Sequence, residues 1–246
     1  MLTIVLPAFN EAAGLGDLLE HIGDAVGAGG PFEILVVDDG STDGTSAIAA
    51  RAPASLHVRV LLHARNCGYG RALRTGLTAA ARSGGTVVTL DADESHDPGH
   101  IVGMLEKIEA GYDLVIASRF QLGGAEIGVP WKRRVLSHTA SVVFRSTLSV
   151  GDVRDYTSGY RAYASSLLQR MISARGPEGF LRSANFAAGF ELLLNAASLK
   201  ARVAEIPLVL RYDRKQSESK MRLARDLPPY FSLLLRHRFH SARARR

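Results

Sequence analysis

Short β-branched runs alternate with longer helical patterns along the first half of the chain, and this alternation constrains the fold more than any other feature. The runs that predict strands cover residues 3–6, 33–37, 58–62, 86–90 and 114–117. The segments with helical patterns cover residues 14–26, 43–51, 69–82 and 98–109. Strands that alternate with helices are typical of crossover connections. The sequence therefore predicts an α/β fold with a mainly parallel sheet and helices on both faces.

The pattern loosens beyond residue 119, but it does not end. We expect a glycine-containing loop through residue 130, a helix over 131–148, a helix over 186–199 and a strand over 203–210. No repeat or linker separates the two halves. We therefore expect one folded domain over residues 1–220, followed by a basic amphipathic segment over residues 221–246.

The positive charge of the chain is concentrated at its C-terminal end. The net charge is +6, and residues 211–246 contain eleven of the 30 Lys and Arg but three of the 24 Asp and Glu, so this tail carries +8 and the rest −2. An excess of basic residues favours an anionic partner: a nucleic acid, a membrane surface or a phosphorylated substrate.

Residues 221–239 form an amphipathic pattern interrupted by two prolines. This pattern predicts either a membrane-surface segment or a terminal helix docked on the core with solvated arginines.

Several protein classes are excluded by what the sequence contains. The single cysteine, Cys67, excludes an intramolecular disulfide and a cysteine-based zinc site, and suits a reducing compartment. Met1 leads directly into a strand pattern rather than a signal peptide. No uncharged apolar stretch reaches the roughly 18 to 20 residues of a spanning helix. We therefore expect a cytoplasmic protein, peripheral at the inner face of the membrane if it associates with lipid.

Acidic residues follow three of the predicted strands. Glu11 follows the first strand, Asp38 and Asp39 the second, and Asp91 and Asp93 the fourth. Because ligands of open α/β sheets bind beyond the carboxyl ends of the strands, we expect these carboxylates to line one crevice. The Asp38-Asp39 pair has an alternative interpretation as a turn that leads into the next helix. Its place at a strand end favours hydrogen bonds to a base or ribose.

Asp91 and Asp93 are separated by one residue, so an extended backbone places both carboxylates on the same side. That spacing allows both to reach one hard divalent cation, either Mg²⁺ or Mn²⁺. A cation that bridges a diphosphate would explain how an acidic crevice accepts an anionic substrate. An isolated Asp-x-Asp occurs often by chance, but here it ends an apolar strand.

Four segments in this order resemble the family-2 inverting glycosyltransferases, which have the Rossmann-like GT-A fold. They are residues 7–11 (PAFNE), 37–45 (VDDGSTDGT), 66–70 (NCGYG) and 91–93 (DAD). The resemblance implies a metal-dependent enzyme that transfers a sugar from a nucleoside-diphosphate donor, with its catalytic domain in residues 1–220. It implies that Asp91 and Asp93 bind Mg²⁺ or Mn²⁺. The implied nucleotide-binding residues are Pro7, Phe9, Glu11, Asp38, Asp39 and Asp91.

The second half of the chain resembles the polyprenyl-phosphate sugar synthases, whose best-known members are the dolichyl-phosphate mannose synthases. The matching segments are residues 118–120, 123–124, 131–133, 155–161 and 205–207. The resemblance implies transfer of a hexose, mannose from GDP-mannose, to a polyprenyl phosphate. The residues implied to face the acceptor phosphate and the donor diphosphate are Arg119, Arg133, Ser137, Arg214 and Lys220. Arg119 and Arg133 would thereby join Asp91 and Asp93 in catalysis, although each basic residue has an alternative as a solvated surface charge.

Three departures from the family patterns affect the interpretation. Relatives that act on sugar hydroxyls carry a catalytic Asp and a later Gln-x-x-Arg-Trp, and neither is present; a phosphate acceptor, whose second pKa is about 6, is already a nucleophile at neutral pH. Ser95 stands where relatives place a Gln as a third metal ligand, so we expect a weaker metal site, with Glu94 or His96 as speculative substitutes. Ser217 replaces the usual Gly of the loop that closes over the donor, which makes the flexibility of this loop less certain.

Other functions and other roles remain open at this point. The acceptor could be a soluble small molecule, since many polyprenyl-phosphate synthases carry spanning helices that this chain lacks. A module that binds a nucleotide sugar or a nucleic acid is disfavoured, because the terminal arginines are few. We expect structural roles for Glu191, His96 and Cys67.

Overall fold

The computed structural model describes residues 1–148, 150–216 and 228–243, with side chains up to residue 235 in the last helix. The strands are β1 (Leu2–Ala8), β2 (Phe32–Asp38), β3 (Val58–Leu62), β4 (Thr86–Thr89), β5 (Leu114–Ser118), β6 (Ala125–Ile127), β7 (Arg161–Ala164), β8 (Val203–Pro207) and β9 (Val209–Arg211). The α-helices are α1 (Leu15–Val26), α2 (Thr45–Ala50), α3 (Tyr69–Ala80), α4 (His100–Glu109), α5 (Trp131–Thr147), α6 (Ser165–Arg175), α7 (Ala188–Ser198) and α8 (Pro228–Arg243).

Seven strands form the central sheet in the order β3-β2-β1-β4-β7-β5-β8. All neighbours pair in parallel except β7, which is antiparallel to both β4 and β5. The predicted mainly parallel sheet is therefore confirmed, whereas β6, β7 and α6 were not predicted.

The prediction of a single strand over residues 203–210 is wrong, because the structure divides this segment into two strands at Leu208. The backbone N–H of Leu208 donates to the carbonyl of Ser118, 2.9 Å away, just beyond the end of the β5–β8 pairing. The chain then leaves the central sheet, and β9 pairs in parallel with β6 in a separate two-stranded sheet. This change of sheet leads the chain from β8 towards residues 212–216.

Apolar side chains cover both faces of the central sheet, as a parallel sheet requires. Ile4 and Leu6 of β1 pack on one face with α1 and α4, and Val5 packs on the other with α3, α6 and α7. Helix α3 approaches β1 so closely that a Cβ on Gly76 would lie 2.3 Å from Cγ1 of Val5. Helices therefore lie on both faces, as predicted.

The first turn of α8 packs on the core through Tyr230. This ring stacks on Phe144 of α5 and lies beside Phe190 of α7, and its hydroxyl donates to the carbonyl of Phe186 at 2.9 Å. The helix begins at Pro228, where proline is favoured because a first-turn N–H has no partner within the helix. Residues 221–227 and 244–246 of the predicted amphipathic segment lie outside the described residues, as does Ser217 of the predicted donor loop. Within the described ranges, no helix is long and apolar enough to cross a membrane.

Candidate active site

A cavity of about 650 Å³ opens at the carboxyl ends of β1, β2 and β4. Its volume suits a small ligand, since such sites span about 300 to 1,000 Å³. Nine of the predicted site residues line it: Pro7, Phe9, Glu11, Asp39, Asp91, Asp93, Arg119, Arg133 and Ser137. Asp38 and Arg214 lie outside the lining, and Lys220 lies outside the described residues.

The two adjacent aspartates at the end of β2 have different surroundings. Asp38 accepts the backbone N–H of Ser41 at 2.8 Å. This hydrogen bond closes a turn, which was the alternative role predicted for the pair. Asp39 lines the cavity and accepts the backbone N–H groups of Cys67 and Gly68 at 2.9 and 2.7 Å. The sequence predicted nucleotide contacts for both, and the structure brings Asp39 alone of the pair to the cavity wall.

Asp39, His63 and Cys67 form a group whose potential metal-ligating atoms lie within 4.8 Å of one another, the one such group found among the described residues. Nδ1 of His63 lies 2.6 Å from Asp39, and its Nε2 lies 3.0 Å from the Thr75 hydroxyl. The thiol of Cys67 faces the carbonyl of Arg65 at 3.3 Å. The hydrogen bonds within this group account for its compactness.

Asp93 is held by partners on both of its carboxylate oxygens. Oδ1 accepts the backbone N–H and the hydroxyl of Ser95 at 3.1 and 2.5 Å, and Oδ2 contacts the ammonium of Lys215. Burial acts to raise the pKa of Asp93, but the Lys215 charge and these hydrogen bonds more than offset it, so the pKa lies below its usual value. Ser95 thus orients Asp93 through its hydroxyl.

Asp91 has a buried oxygen, Oδ1, that accepts no well-aligned hydrogen bond within the described part of the chain. The backbone N–H of Asp91 donates to Nδ1 of His96 at 3.1 Å, which confirms a structural role for His96. Tyr69 lies beside the Asp91 carboxylate and interacts with it through its hydroxyl. Burial, followed by this negative charge, raises the pKa of Tyr69 well above its usual value. A buried carboxylate oxygen without a well-aligned donor is suited to a cation.

Glu11, Asp91 and Asp93 form a looser acidic cluster than the Asp39 group, and Asp91 with Asp93 offers carboxylate oxygens to a divalent cation. A lysine already occupies part of the cluster, and burial, which acts to lower the pKa of Lys215, is outweighed by Asp93, Asp91 and Glu11, so that the pKa is raised. Oxygen ligands of this kind bind Mg²⁺ or Mn²⁺. Of the speculative substitute ligands, Glu94 does not line the cavity and accepts a hydrogen bond from Gln216 at 3.2 Å.

Arg119 forms a buried bidentate pair with Asp155. Its Nε and one terminal nitrogen each lie 2.8 Å from a carboxylate oxygen, and its other terminal nitrogen lies 3.3 Å from Glu126. Burial acts to raise the pKa of Asp155, and the Arg119 charge outweighs it and keeps the pKa below its usual value. Arg119 is therefore not a solvated surface charge: it is fixed in the cavity wall with negative partners.

Arg133 and Ser137 lie one turn apart on α5, so both face the cavity. Arg133 donates to the hydroxyl of Tyr212 at 2.9 Å, and its guanidinium lies 5.3 Å from the centre of the Tyr212 ring. This contact joins α5 to the segment that follows β9.

Sequence reasoning missed the roles of several residues within segments that it had recognised. Asp155, Tyr69 and Lys215 lie in such segments, but each acts on a residue distant in the sequence. Glu191 accepts the backbone N–H groups of Arg182 and Ser183, which confirms its expected structural role.

Comparison with known proteins decides the family. The model of "Glycosyl transferase family 2" matches residues 3–173. The chain belongs to this family. It is 35% identical over 222 residues, 89% of this chain and 80% of the relative, to a polyprenol monophosphomannose synthase of Mycolicibacterium smegmatis. It is 34% identical over 222 residues, 88% of this chain and 86% of the relative, to an undecaprenyl-phosphate mannosyltransferase of Micrococcus luteus.

A solved structure supports the same fold for this family-2 glycosyltransferase. Glucosyl-3-phosphoglycerate synthase of Mycobacterium tuberculosis, in complex with Mn²⁺, uridine-diphosphate-glucose and phosphoglyceric acid, superposes with a TM-score of 0.72. The match covers 96% of this chain and 79% of that chain at 23% identity. The predicted GT-A fold is confirmed.

Replacing Asp155 with Asn should destabilise the protein by about 3 kcal/mol at pH 7, because it removes the charge that balances the buried Arg119. The folded-state pKa of Asp155 is lowered, so its contribution is present above the unfolded pKa of about 3.9 and is lost as pH falls through the folded value. Denaturant unfolding should therefore show that the stabilities of wild type and variant begin to converge below about pH 4 and become equal only below the lowered folded-state pKa of Asp155.

The matched control is Asp213→Asn, which breaks an exposed pair with Arg211 and should change stability little. Equal stability of Asp155→Asn and wild type at pH 7 would show that the buried pair does not support the fold.

Proposed function

We propose that this glycosyltransferase transfers a hexose, mannose from GDP-mannose, to a polyprenyl phosphate. The observation that carries the proposal is the lining of the cavity along α5. Arg133, Leu136, Ser137 and Thr139 line its first part, and the apolar residues Ala140, Val143 and Phe144 line its later turns. The stretch from Arg133 to Phe144 is about 17 Å long at about 1.5 Å per residue. A phosphate held near Arg133 would thus continue into an apolar groove suited to a lipid chain.

The relatives support the same acceptor and sugar. Both curated relatives described above are named for mannose and for a polyprenol or undecaprenyl phosphate. Tyr230 and Phe231 of α8 extend the apolar wall beside α5. An acceptor that is a small sugar or another polar molecule would make no use of these surfaces.

The donor nucleotide is proposed to bind where the ends of β1 and β2 meet. Pro7 and Phe9 line this part of the cavity, and Asp39 is fixed there by two backbone N–H groups. Asp91 and Asp93 would hold Mg²⁺ or Mn²⁺. When bound, the ion supplies positive charge that stabilises the leaving diphosphate.

The reaction needs no general base on the protein. The acceptor phosphate, with a second pKa of about 6, is an anion at neutral pH. Arg133 would orient it so that one of its oxygens attacks the anomeric carbon while the bond from that carbon to the diphosphate breaks on the opposite face, with inversion. Arg119, held rigid by Asp155, keeps a guanidinium in the cavity wall near these anions.

Transfer is tested with purified protein, Mn²⁺, a short polyprenyl phosphate and GDP-mannose, with UDP-glucose as a second donor. We expect a mannosyl lipid that depends on the metal. Asp91→Asn should lower kcat/KM by about 100-fold or more, because each 1.36 kcal/mol of lost stabilisation costs a factor of about ten. Asp24→Asn, on the exposed side of α1, is the matched control and should leave kcat/KM unchanged.

If neither donor yields a glycolipid, the proposed function is wrong. Transfer to a soluble phosphorylated acceptor, but not to the lipid, would favour the soluble-acceptor alternative instead.

We further propose that α5 rests on an anionic membrane surface at the cytoplasmic face. Trp131, Val135 and Val142 are 70%, 57% and 68% exposed, and their spacing places them within about 40° of one another around the helix. Lys132 and Arg134 flank this stripe. An exposed apolar stripe with a tryptophan and basic neighbours is typical of interfacial helices. The polyprenyl phosphate would be reached from this surface, and no nucleic acid is involved.

Flotation with phosphatidylglycerol vesicles tests this surface. Wild type should float with the vesicles, and Val142→Glu should reduce the bound fraction several-fold, because it places a negative charge in the apolar stripe. Val102→Glu changes an exposed valine of α4 and should float like wild type. If wild type stays in the dense fraction, or if Val142→Glu floats normally, α5 is not a membrane contact.

A further inference from the structure

Lys215 places a positive charge inside the acidic cluster. It follows β9 and a short 3₁₀ turn, Tyr212–Arg214, and its ammonium contacts Oδ2 of Asp93. Both side chains are 10% exposed. The ammonium also lies 5.9 Å from the centre of the Tyr212 ring. The lysine is therefore a packed part of the cavity wall.

The oxygen that Lys215 contacts is the one that Asp93 would offer to a metal. Oδ1 of Asp93 already accepts two hydrogen bonds from Ser95, so Oδ2 is the oxygen directed to a cation. Glu11 and Asp91 act on the same ammonium. A single positive charge among three carboxylates leaves the cluster negative, and a divalent ion neutralises it further. An ammonium in contact with Oδ2 and a divalent ion bound to the same oxygen would repel each other.

We propose that Lys215 is the resident counter-ion of the metal-free site, and that a divalent ion displaces it from Asp93. Lys215 holds residues 212–216 against the cavity wall until the ion binds, and the ion then takes its place at Oδ2. Tyr212 and Lys215 both line the cavity. The exchange therefore couples metal binding to movement of residues 212–216. The inference rests on the metal requirement of the proposed function.

Acylation of lysine amines, read by mass spectrometry with and without Mn²⁺, tests the exchange in the full-length protein. Lys215 should react slowly without metal, because its ammonium is paired and enclosed, and several-fold faster with saturating Mn²⁺. Lys107, exposed on α4, is the internal control and should react at the same rate in both conditions. An unchanged rate at Lys215, with Mn²⁺ binding demonstrated by calorimetry, would overturn the proposal.

A second measurement uses Lys215→Met, which removes the charge and keeps the length of the side chain. Calorimetric titration without nucleotide should show Mn²⁺ binding about tenfold more tightly to the variant, since removal of a competitor worth about 1.4 kcal/mol has that effect. Lys107→Met should bind like wild type. Equal or weaker binding to Lys215→Met would overturn the proposal, and the acylation experiment on wild type decides it if the variant does not fold.

The two proposals fail in different ways. If Mn²⁺ exposes Lys215 but no donor yields a glycolipid, the proposed function is wrong and the exchange stands. If transfer is normal but Mn²⁺ leaves Lys215 protected, the exchange is wrong and the function stands. Absence of any Mn²⁺ binding removes both the metal requirement and the exchange.

Discussion

Repulsion among carboxylates at one edge of the sheet is the constraint on which the site depends. Parallel strands bring their carboxyl ends together, and β1, β2 and β4 are each followed by acidic residues. Like charges in a partly enclosed cavity disfavour one another, so each carboxylate needs donors or cations. Asp39 is held by backbone N–H groups and by His63, and Asp93 by Ser95 and Lys215. Oδ1 of Asp91 accepts no well-aligned hydrogen bond within the described ranges, which leaves this oxygen available to an added cation.

The sequence was sufficient for the parts of the fold that are fixed by local patterns. The parallel strands and the helices between them follow from apolar periodicity, because both faces of the sheet must be buried. Strand β7 could not be predicted in this way, since its four residues are stabilised by antiparallel pairing with β4 and β5. The division of residues 203–210 also depends on a distant contact. The run is continuous in apolar character, and the break becomes visible where Leu208 bonds to Ser118.

The candidate site shows the same division between local and distant information. Strand-end position was enough to place Glu11, Asp91 and Asp93 in the cavity. It could not distinguish Asp38 from Asp39, because neighbouring residues at a strand end differ in the side to which they point. The ion pairs could not be predicted from the sequence for another reason: Lys215 is 122 residues from Asp93, and Arg119 is 36 residues from Asp155. No spacing rule connects such partners, although the segments that contain them were recognisable by resemblance.

The position of the bound metal distinguishes the Asp91–Asp93 site from the alternatives. Crystals grown with Mn²⁺ and a nucleoside diphosphate, measured near the manganese absorption edge, give an anomalous difference map that locates the ion without assumptions about ligands. We expect one strong peak within coordination distance of both Asp91 and Asp93, with Lys215 no longer in contact with Asp93. A peak at Asp39, His63 and Cys67, or bound nucleotide with no peak at Asp91 and Asp93, would contradict it.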